Sequence, residues 1–329
     1  MWADACGQIF FSLGVCMGIM TSYSSYNHVE QSIIGNALRV SIGNCLFSFF
    51  AGFAVFGTVG YLQGMGSTVA NKVSSNGLAF IAFPAAIDTL PLPNLWIFIL
   101  AITLFTLGLD SAFSMVEATA TVITDTPRGS KIPRKLIALV LCSLGCVLSF
   151  LFCFNWGFTY FDVVDHYLAV YLLLLLGVFQ CFGAAWVYEF NTAVAAANKG
   201  SVLALGIFYY GALIPLSFGS VFFAKDYGLI AIALFWVIQI IGWIVSFVMS
   251  KLSFKEWYFK VFFYGIHKLG CAISIPSCEK GIKAWWVEPF IFYWGFCIKF
   301  FFPFAVIWLL AFSVEKDVSE PYGGYYWGW

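Results

Sequence analysis

The sequence predicts an all-α integral membrane protein of about eight transmembrane helices, the first of them discontinuous, and three observations carry that expectation. Of 329 residues, 62% are hydrophobic and only 10% charged, with a mean hydropathy of +0.91, which is outside the range of a soluble domain of this length. Mostly apolar runs recur along the chain at the length of about twenty residues that one helix needs to cross a bilayer. Period-two alternation, the mark of barrel strands, is missing from them.

The first span covers 2–27. Gln8, Ser12 and Gly14 interrupt it, and beyond Gly18 it continues into the polar run Thr21-Ser-Tyr-Ser-Ser-Tyr-Asn27, so a break is expected near 13–17. Polar groups and free backbone carbonyls in lipid are costly unless they line a site. Broken helices of this kind are how secondary transporters build ion and substrate sites. The further spans are 34–61, 95–124, 135–155, 165–190, 202–224, 228–250 and 289–312.

Arg39, Arg128, Lys131, Arg134, Lys135 and Lys199 fall in alternate connections, as do Lys251, Lys255, Lys260, Lys268, Lys280 and Lys283. The positive-inside rule makes those connections cytoplasmic. The opposite connections hold only Lys72, Lys225 and Lys316, so the first helix runs from outside to inside. The connection 63–94 contains the apolar stretches 79–84 and 90–93 and is expected to fold into short helices that pack on the extracellular mouth. In 251–285, Trp257, Tyr258, Phe262 and Phe263 stand among six lysines. That pattern suits an amphipathic segment on the inner leaflet with those rings toward lipid, or equally an ordinary basic loop.

Several function classes drop out. Lys plus Arg and Asp plus Glu both number 16, so no net charge points to nucleic acid. His28, His166 and His267 are dispersed, the ten cysteines show no metal spacing, and no phosphate-binding glycine loop occurs. The chain is therefore not expected to be an enzyme, and transport would be driven by an ion gradient. The cysteines read as small buried hydrophobes. No signal peptide is visible. Met1 abuts a span and the chain stops in the aromatic run Tyr325 to Trp329, which suggests a fragment cut at both ends.

Two polar constellations remain. Asn44 and Ser48 share one face of the second span among Phe47, Phe49 and Phe50, and Gln8 and Ser12 have the same i, i+4 spacing on the first. Such pairs complete a site or glue helices together. The third span carries Leu107-Gly-Leu-Asp-Ser111 and then Glu117. Intramembrane carboxylates mark ion or proton pathways, and Asp110 with hydroxyl and carbonyl oxygens of Ser111 and Leu107 is a hard donor set that suits sodium. A neutral, hydrogen-bonded acid is the alternative.

Trp2-Ala-Asp-Ala-Cys-Gly-Gln-Ile-Phe-Phe-Ser-Leu-Gly14, Ser24-Ser-Tyr-Asn27, Leu78-Ala-Phe-Ile-Ala-Phe-Pro84 and Leu107-Gly-Leu-Asp-Ser111 resemble the neurotransmitter:sodium symporter (solute carrier 6) family. The resemblance implies an inverted-repeat secondary transporter fold with discontinuous helices. It covers the family's helices 6 to 11, with Pro321 to Trp329 leading into helix 12, so helices 1 to 5 would be absent and residues 1–329 alone are expected to show no sodium-driven uptake. The chain would be a single transmembrane transporter domain, its C-terminal half, with 200–285 a probable insertion of two extra helices and a basic cytoplasmic loop.

The implied function is sodium-coupled, chloride-dependent symport of amino acids or related small amines by alternating access, in a multi-pass protein of the plasma membrane. By the resemblance, Ser12 and Asn44 ligate a first sodium; Leu107, Asp110 and Ser111 ligate a second; Gln8, Ser12, Asn44 and Ser48 bind chloride. Phe11, Ser12, Gly14, Met17, Ser111 and Met115 match substrate-pocket positions, with Phe11 the lid, and Tyr26 and Asp125 match the cytoplasmic gate. Na+ and Cl- are the implied ions, lipid and a small molecule the implied partners, and an oligomer is left open. Relatives that work without chloride place a carboxylate where Ser48 stands, so a neutral serine leaves room for a bound anion. The chain departs from the family at Val15-Cys-Met17 in the helix break and at Gln180, where many members carry the acid of an extracellular gate. A non-transporting relative acting as a scaffold or trafficking partner is the alternative.

Overall fold

A computed structural model describes residues 2–28, 31–66, 78–223, 227–279 and 287–319, and among these the secondary structure is all-helical. The expectations on Lys72, Lys225, Lys280, Lys283 and 321–329 lie outside the described residues. Among the described residues seven helices are long and apolar enough to cross a membrane, and the broken first helix accompanies them. The chain forms two compact units. The smaller comprises Ile19–Tyr26 and Gly35–Cys146; the larger comprises Met1–Gly18, Asn27–Ile34 and Val147–Trp329.

The first helix breaks where its glycines fall. Helix α1 (Trp2–Ser12) stops and α2 (Ile19–Ser24) begins after a turn with Gly14 at φ 61°, Cys16 at φ 69° and Gly18 at φ 77°. Two of these three left-handed residues are glycines, which adopt that region without the Cβ clash, whereas Cys16 is held there at a cost.

In the smaller unit, α3 (Ile33–Gly64) and α5 (Pro93–Thr124) are 32 residues each, roughly 48 Å at 1.5 Å per residue, long enough to cross and project. Pro93 opens α5 at N1, where a missing N–H costs nothing. The connection before it contains a π-turn at Leu78–Ala82 and the short α4 (Phe83–Ile87), which packs against α5. Helix α6 (Arg134–Ser149) follows α5 through a tight turn in which the Thr126 hydroxyl accepts from the Gly129 N–H at 3.0 Å.

In the larger unit, α7 (Gly157–Tyr167), α8 (Leu173–Phe182) and α9 (Phe190–Ala196) are joined by π-turns at Leu168–Leu172 and Gly183–Val187. Helices α10 (Lys199–Phe223) and α11 (Gly228–Ser250) form a hairpin. Without a hydrophobic drive in lipid, such a pair is held by small residues and interhelical hydrogen bonds. Here the Ser201 and Ser246 hydroxyls donate to each other's backbone carbonyls at 2.6 and 2.8 Å, and Gln239 Nε2 donates to Phe208 O at 3.0 Å. A Cβ on Gly242 would stand 2.6 Å from Phe208 Cβ, so only glycine lets the helices approach this closely.

After α11 the chain does not spread along the inner leaflet. Helix α12 (Phe254–Trp257) and a π-turn at Tyr258–Phe262 run back along α11, where Trp257 Nε1 donates to Ser246 Oγ at 3.1 Å and the Phe262 ring stands edge-on to Trp243 at 5.3 Å. Trp257, Phe262 and Phe263 are buried. Their packing energy against α11 overrides the lipid-facing arrangement that the sequence allowed. Helix α13 (Tyr264–Glu279) then leads toward α14 (Val287–Phe296), which continues through a π-turn at Cys297–Phe301 into α15 (Phe302–Ser319).

Candidate ion and substrate site

Helix α5 places Leu107, Asp110 and Ser111 at i, i+3 and i+4, one face of the helix. The Ser111 hydroxyl donates to the Leu107 carbonyl at 3.1 Å, and Ser114 Oγ donates to the Asp110 carbonyl at 2.9 Å. Among the described residues the Asp110 carboxylate has no hydrogen-bond or ion-pair partner. A carbonyl, a hydroxyl and a free carboxylate within one turn are the hard oxygen donors that sodium takes. Met115 stands one turn on from Ser111, and Asn44 and Ser48 lie one turn apart on α3 in the same unit.

A second polar group in this unit lies at the far end of α2. Tyr26 Oη donates to Glu117 Oε1 at 2.8 Å, Arg134 pairs with the same carboxylate oxygen and reaches Thr121 Oγ1 at 3.0 Å, and its guanidinium lies 5.4 Å from the Tyr26 ring centroid. Ser22 Oγ donates to Thr121 Oγ1 at 2.9 Å, and the Tyr23 and Ser114 hydroxyls are 2.6 Å apart. Tyr26 is thus engaged with Glu117 and Arg134. Asp125 caps α5 through its backbone N–H on Thr121 O at 3.0 Å. In the sequence Arg134 serves only to set topology, although an acid inside a membrane helix calls for a basic partner.

The remaining expected residues, Gln8, Phe11, Ser12, Gly14 and Met17, belong to the larger unit, so the sets that pair Ser12 with Asn44 or Ser111 are drawn from both units, each of which is described by itself. Gln8, Phe11 and Ser12 occupy the end of α1, and Gly14 and Met17 the turn beyond it. Gln180 on α8 donates from Nε2 to the Cys16 carbonyl at 3.4 Å. A backbone carbonyl freed by the break is thereby met by an amide, a role for Gln180 that differs from the acidic gate position it occupies by resemblance.

Two groups in the larger unit have no counterpart among the sequence expectations. Asp317, buried on α15, accepts from Tyr171 Oη at 2.6 Å and lies 2.8 Å from His166 Nε2. Lys299, 4% exposed in the π-turn between α14 and α15, donates to Phe262 O at 2.7 Å with its ammonium 4.7 Å from the Trp186 ring centroid. Among the described residues no carboxylate pairs with it. The carbonyl end of the returning segment and the indole face supply the negative potential in its place. Nearer the water, the Glu189 carboxylate hydrogen-bonds Lys268 and holds its ammonium above the usual lysine range.

A family model, the sodium:neurotransmitter symporter family, matches residues 1–217. The chain belongs to this family. An uncharacterized sodium-dependent transporter of Methanocaldococcus jannaschii is 35% identical over 212 residues, 64% of this chain and 42% of the relative. The mouse sodium- and chloride-dependent neutral and basic amino acid transporter B(0+) is 34% identical over 194 residues, 58% of this chain and 30% of its own length. The rat sodium- and chloride-dependent taurine transporter is 36% identical over 196 residues, 57% and 31% respectively. This symporter-family chain therefore spans less than half the length of these relatives, which are transporters rather than enzymes. No solved structure matches it.

Proposed function

We propose that this chain carries part of the ion and substrate machinery of a sodium-coupled symporter of amino acids or related small amines. The observation that carries the reading is the α5 face, on which Leu107 O, Ser111 Oγ and an unpaired Asp110 carboxylate stand within one turn. Sodium is the cargo these oxygens suit, and similarity to sodium-dependent transporters supports the same ion. Ser12 and Asn44 are assigned to a first sodium, and Phe11, Ser12, Gly14, Met17, Ser111 and Met115 to the substrate. Tyr26 and Asp125, joined by Glu117 and Arg134, form the cytoplasmic gate. Residues 200–285 are an insertion, and the protein resides in the plasma membrane.

Chloride is the co-ion, bound by Gln8, Ser12, Asn44 and Ser48. The support is electrostatic: Ser48 brings no charge, so an anion is needed to offset sodium held by neutral ligands. Uptake by the full-length protein, measured in sodium with chloride or with gluconate, tests this. Ser48→Glu is expected to sustain uptake without chloride, and an unchanged chloride requirement would remove the anion-site assignment.

A further inference from the structure

The return of the chain after α11 makes a groove that the transport reading does not use. Helix α11 ends at Ser250, Lys251 turns the backbone at φ 55°, and Ser253 caps α12 in a reciprocal box with Glu256. Between α11, the returning segment and α14 lies a groove of about 630 Å³. Ile240, Ile244 and Phe247 form one wall, Phe254 and Tyr258 the second, and Tyr293 with its neighbours on α14 the third. Every residue that lines it is aliphatic or aromatic, and Ile244, Phe254 and Tyr293 are well exposed.

The charges at one end of this groove are Lys251, Lys255 and Lys260 against Glu256 and the exposed Glu288 in the first turn of α14, so lysines outnumber acids there. Lys251 lies three residues before Phe254, and Lys255 lies directly after it; both are exposed. Among the described residues neither is paired with a carboxylate, whereas Lys260 is taken by Glu256 at 3.4 Å and Lys268 by Glu189. Glu256 is the acid nearest in the chain, and its oxygens are engaged with Ser253 and Lys260. Lysine asymmetry assigns this end to the cytoplasmic side, and α11 and α14–α15 are of membrane-spanning length. An apolar slot at acyl-chain depth that ends at two unpaired cations on the inner face fits one kind of occupant. A soluble partner would not reach the slot, and a zwitterionic lipid would bring the lysines no net charge.

We propose that this groove is a binding site for an anionic phospholipid of the cytoplasmic leaflet, an acyl chain lying against Ile244, Phe247, Phe254 and Tyr293 and the phosphate-bearing headgroup held by Lys251 and Lys255. The site rests on the returning segment alone, and its test reads lipid binding rather than uptake, so it stands or falls separately from the symport reading. The full-length protein, stripped of lipid in detergent, is titrated with fluorescent phosphatidylglycerol and with fluorescent phosphatidylcholine bearing the same chains. A preference for phosphatidylglycerol of roughly thirty-fold is expected, from a contribution of about fivefold per lysine at a membrane surface. Lys251→Gln/Lys255→Gln is expected to bring the ratio near one while phosphatidylcholine binding is unchanged, and Ile244→Trp, which fills the slot, to lower binding of both lipids. Thermal melting of each variant checks that it is folded, and Ile244→Ala replaces the tryptophan variant if that one is not. Equal binding of the two lipids by the unaltered protein, or a preference that survives the double lysine change, overturns the proposal.

Discussion

The smaller and larger units differ in how far they cover their polar residues. In the smaller, the apolar windows of Ile33–Gly64 and Pro93–Thr124 have 6% and 0% of their residues buried, whereas in the larger Lys199–Phe223 and Val287–Ser319 have 33% and 44%. Asn44, Ser48, Asp110 and Ser111 accordingly stand on faces of α3 and α5 with little of their own unit over them. The polar groups of the larger unit are closed upon one another: Ser201 on Ser246, Gln239 on a carbonyl, Asp317 on Tyr171 and His166, Lys299 on Phe262. In lipid an unsatisfied polar group is costly. The larger unit therefore satisfies these groups internally, as a scaffold does; the smaller does the same for Tyr26, Glu117 and Arg134, while among the described residues the Asp110 carboxylate is left for an ion.

The largest expected effect separates these two uses. Asp110→Asn in the full-length protein removes a charged oxygen ligand, a loss of about 1.5–3 kcal/mol that corresponds to at least about tenfold in sodium affinity. Because the Asp110 carboxylate makes no hydrogen bond among the described residues, the melting temperature is expected to hold while the sodium dependence of uptake shifts upward. A variant that unfolds with sodium affinity intact would place Asp110 with the scaffold instead.

The complementary change is Asp317→Ala, where stability should fall and ion dependence should not. Two hydrogen bonds, from Tyr171 and His166, end on this buried carboxylate. At about 1.5 kcal/mol for each bond to a charged group, the cost is about 3 kcal/mol. Denaturation of the protein in detergent measures it, with sodium affinity of the folded fraction as the control.

What the sequence made legible follows the same division. The break in the first helix was readable because Gly14 and Gly18 sit within polar residues in a span; expected near 13–17, it covers 13–18. The α5 oxygens were readable because all three lie within five residues of one helix. Pairings between distant segments were not: Glu117 with Arg134 is separated by 17 residues, Lys299 with Phe262 by 37, and His166 with Asp317 by 151. Periodicity reports which face a residue is on but not which helix meets that face. For the same reason the sequence left Trp257, Phe262 and Phe263 open between facing lipid and lying in an ordinary basic loop, since nothing local shows that α11 offers Ser246 and Trp243 to receive them.

Lys299→Met is a milder probe of the larger unit. It keeps much of the length of the side chain and its contact with Trp186 but leaves the Phe262 carbonyl without its donor. A buried acceptor left unsatisfied costs about 1–3 kcal/mol, offset by the removal of a desolvated charge. The expected outcome is a small loss of global stability together with looser attachment of the returning segment. Faster amide exchange over 254–263, with α10 and α11 unchanged, would show it, and uniform exchange across the unit would mean that Lys299 does not hold that segment in particular.

The smallest effect is a pH dependence at the entrance to the same segment. The Ser253 hydroxyl and backbone N–H, then Lys260, hold the Glu256 carboxyl below its ordinary value. A carboxylate with a lowered folded-state pKa contributes stability above its unfolded pKa of about 4.3 and loses it as pH falls through the folded one. Glu256→Gln should therefore weaken the attachment of 254–263 at neutral pH and make no difference in acid, where the native residue is itself protonated. Both ends of the segment are thus tested, Lys299 inside the membrane and Glu256 at its face. If the Glu256→Gln variant differs from the unaltered protein in exchange over 254–263 equally at neutral and acid pH, the capping contribution is not electrostatic, and packing of Trp257 and Phe262 against α11 holds the segment without it.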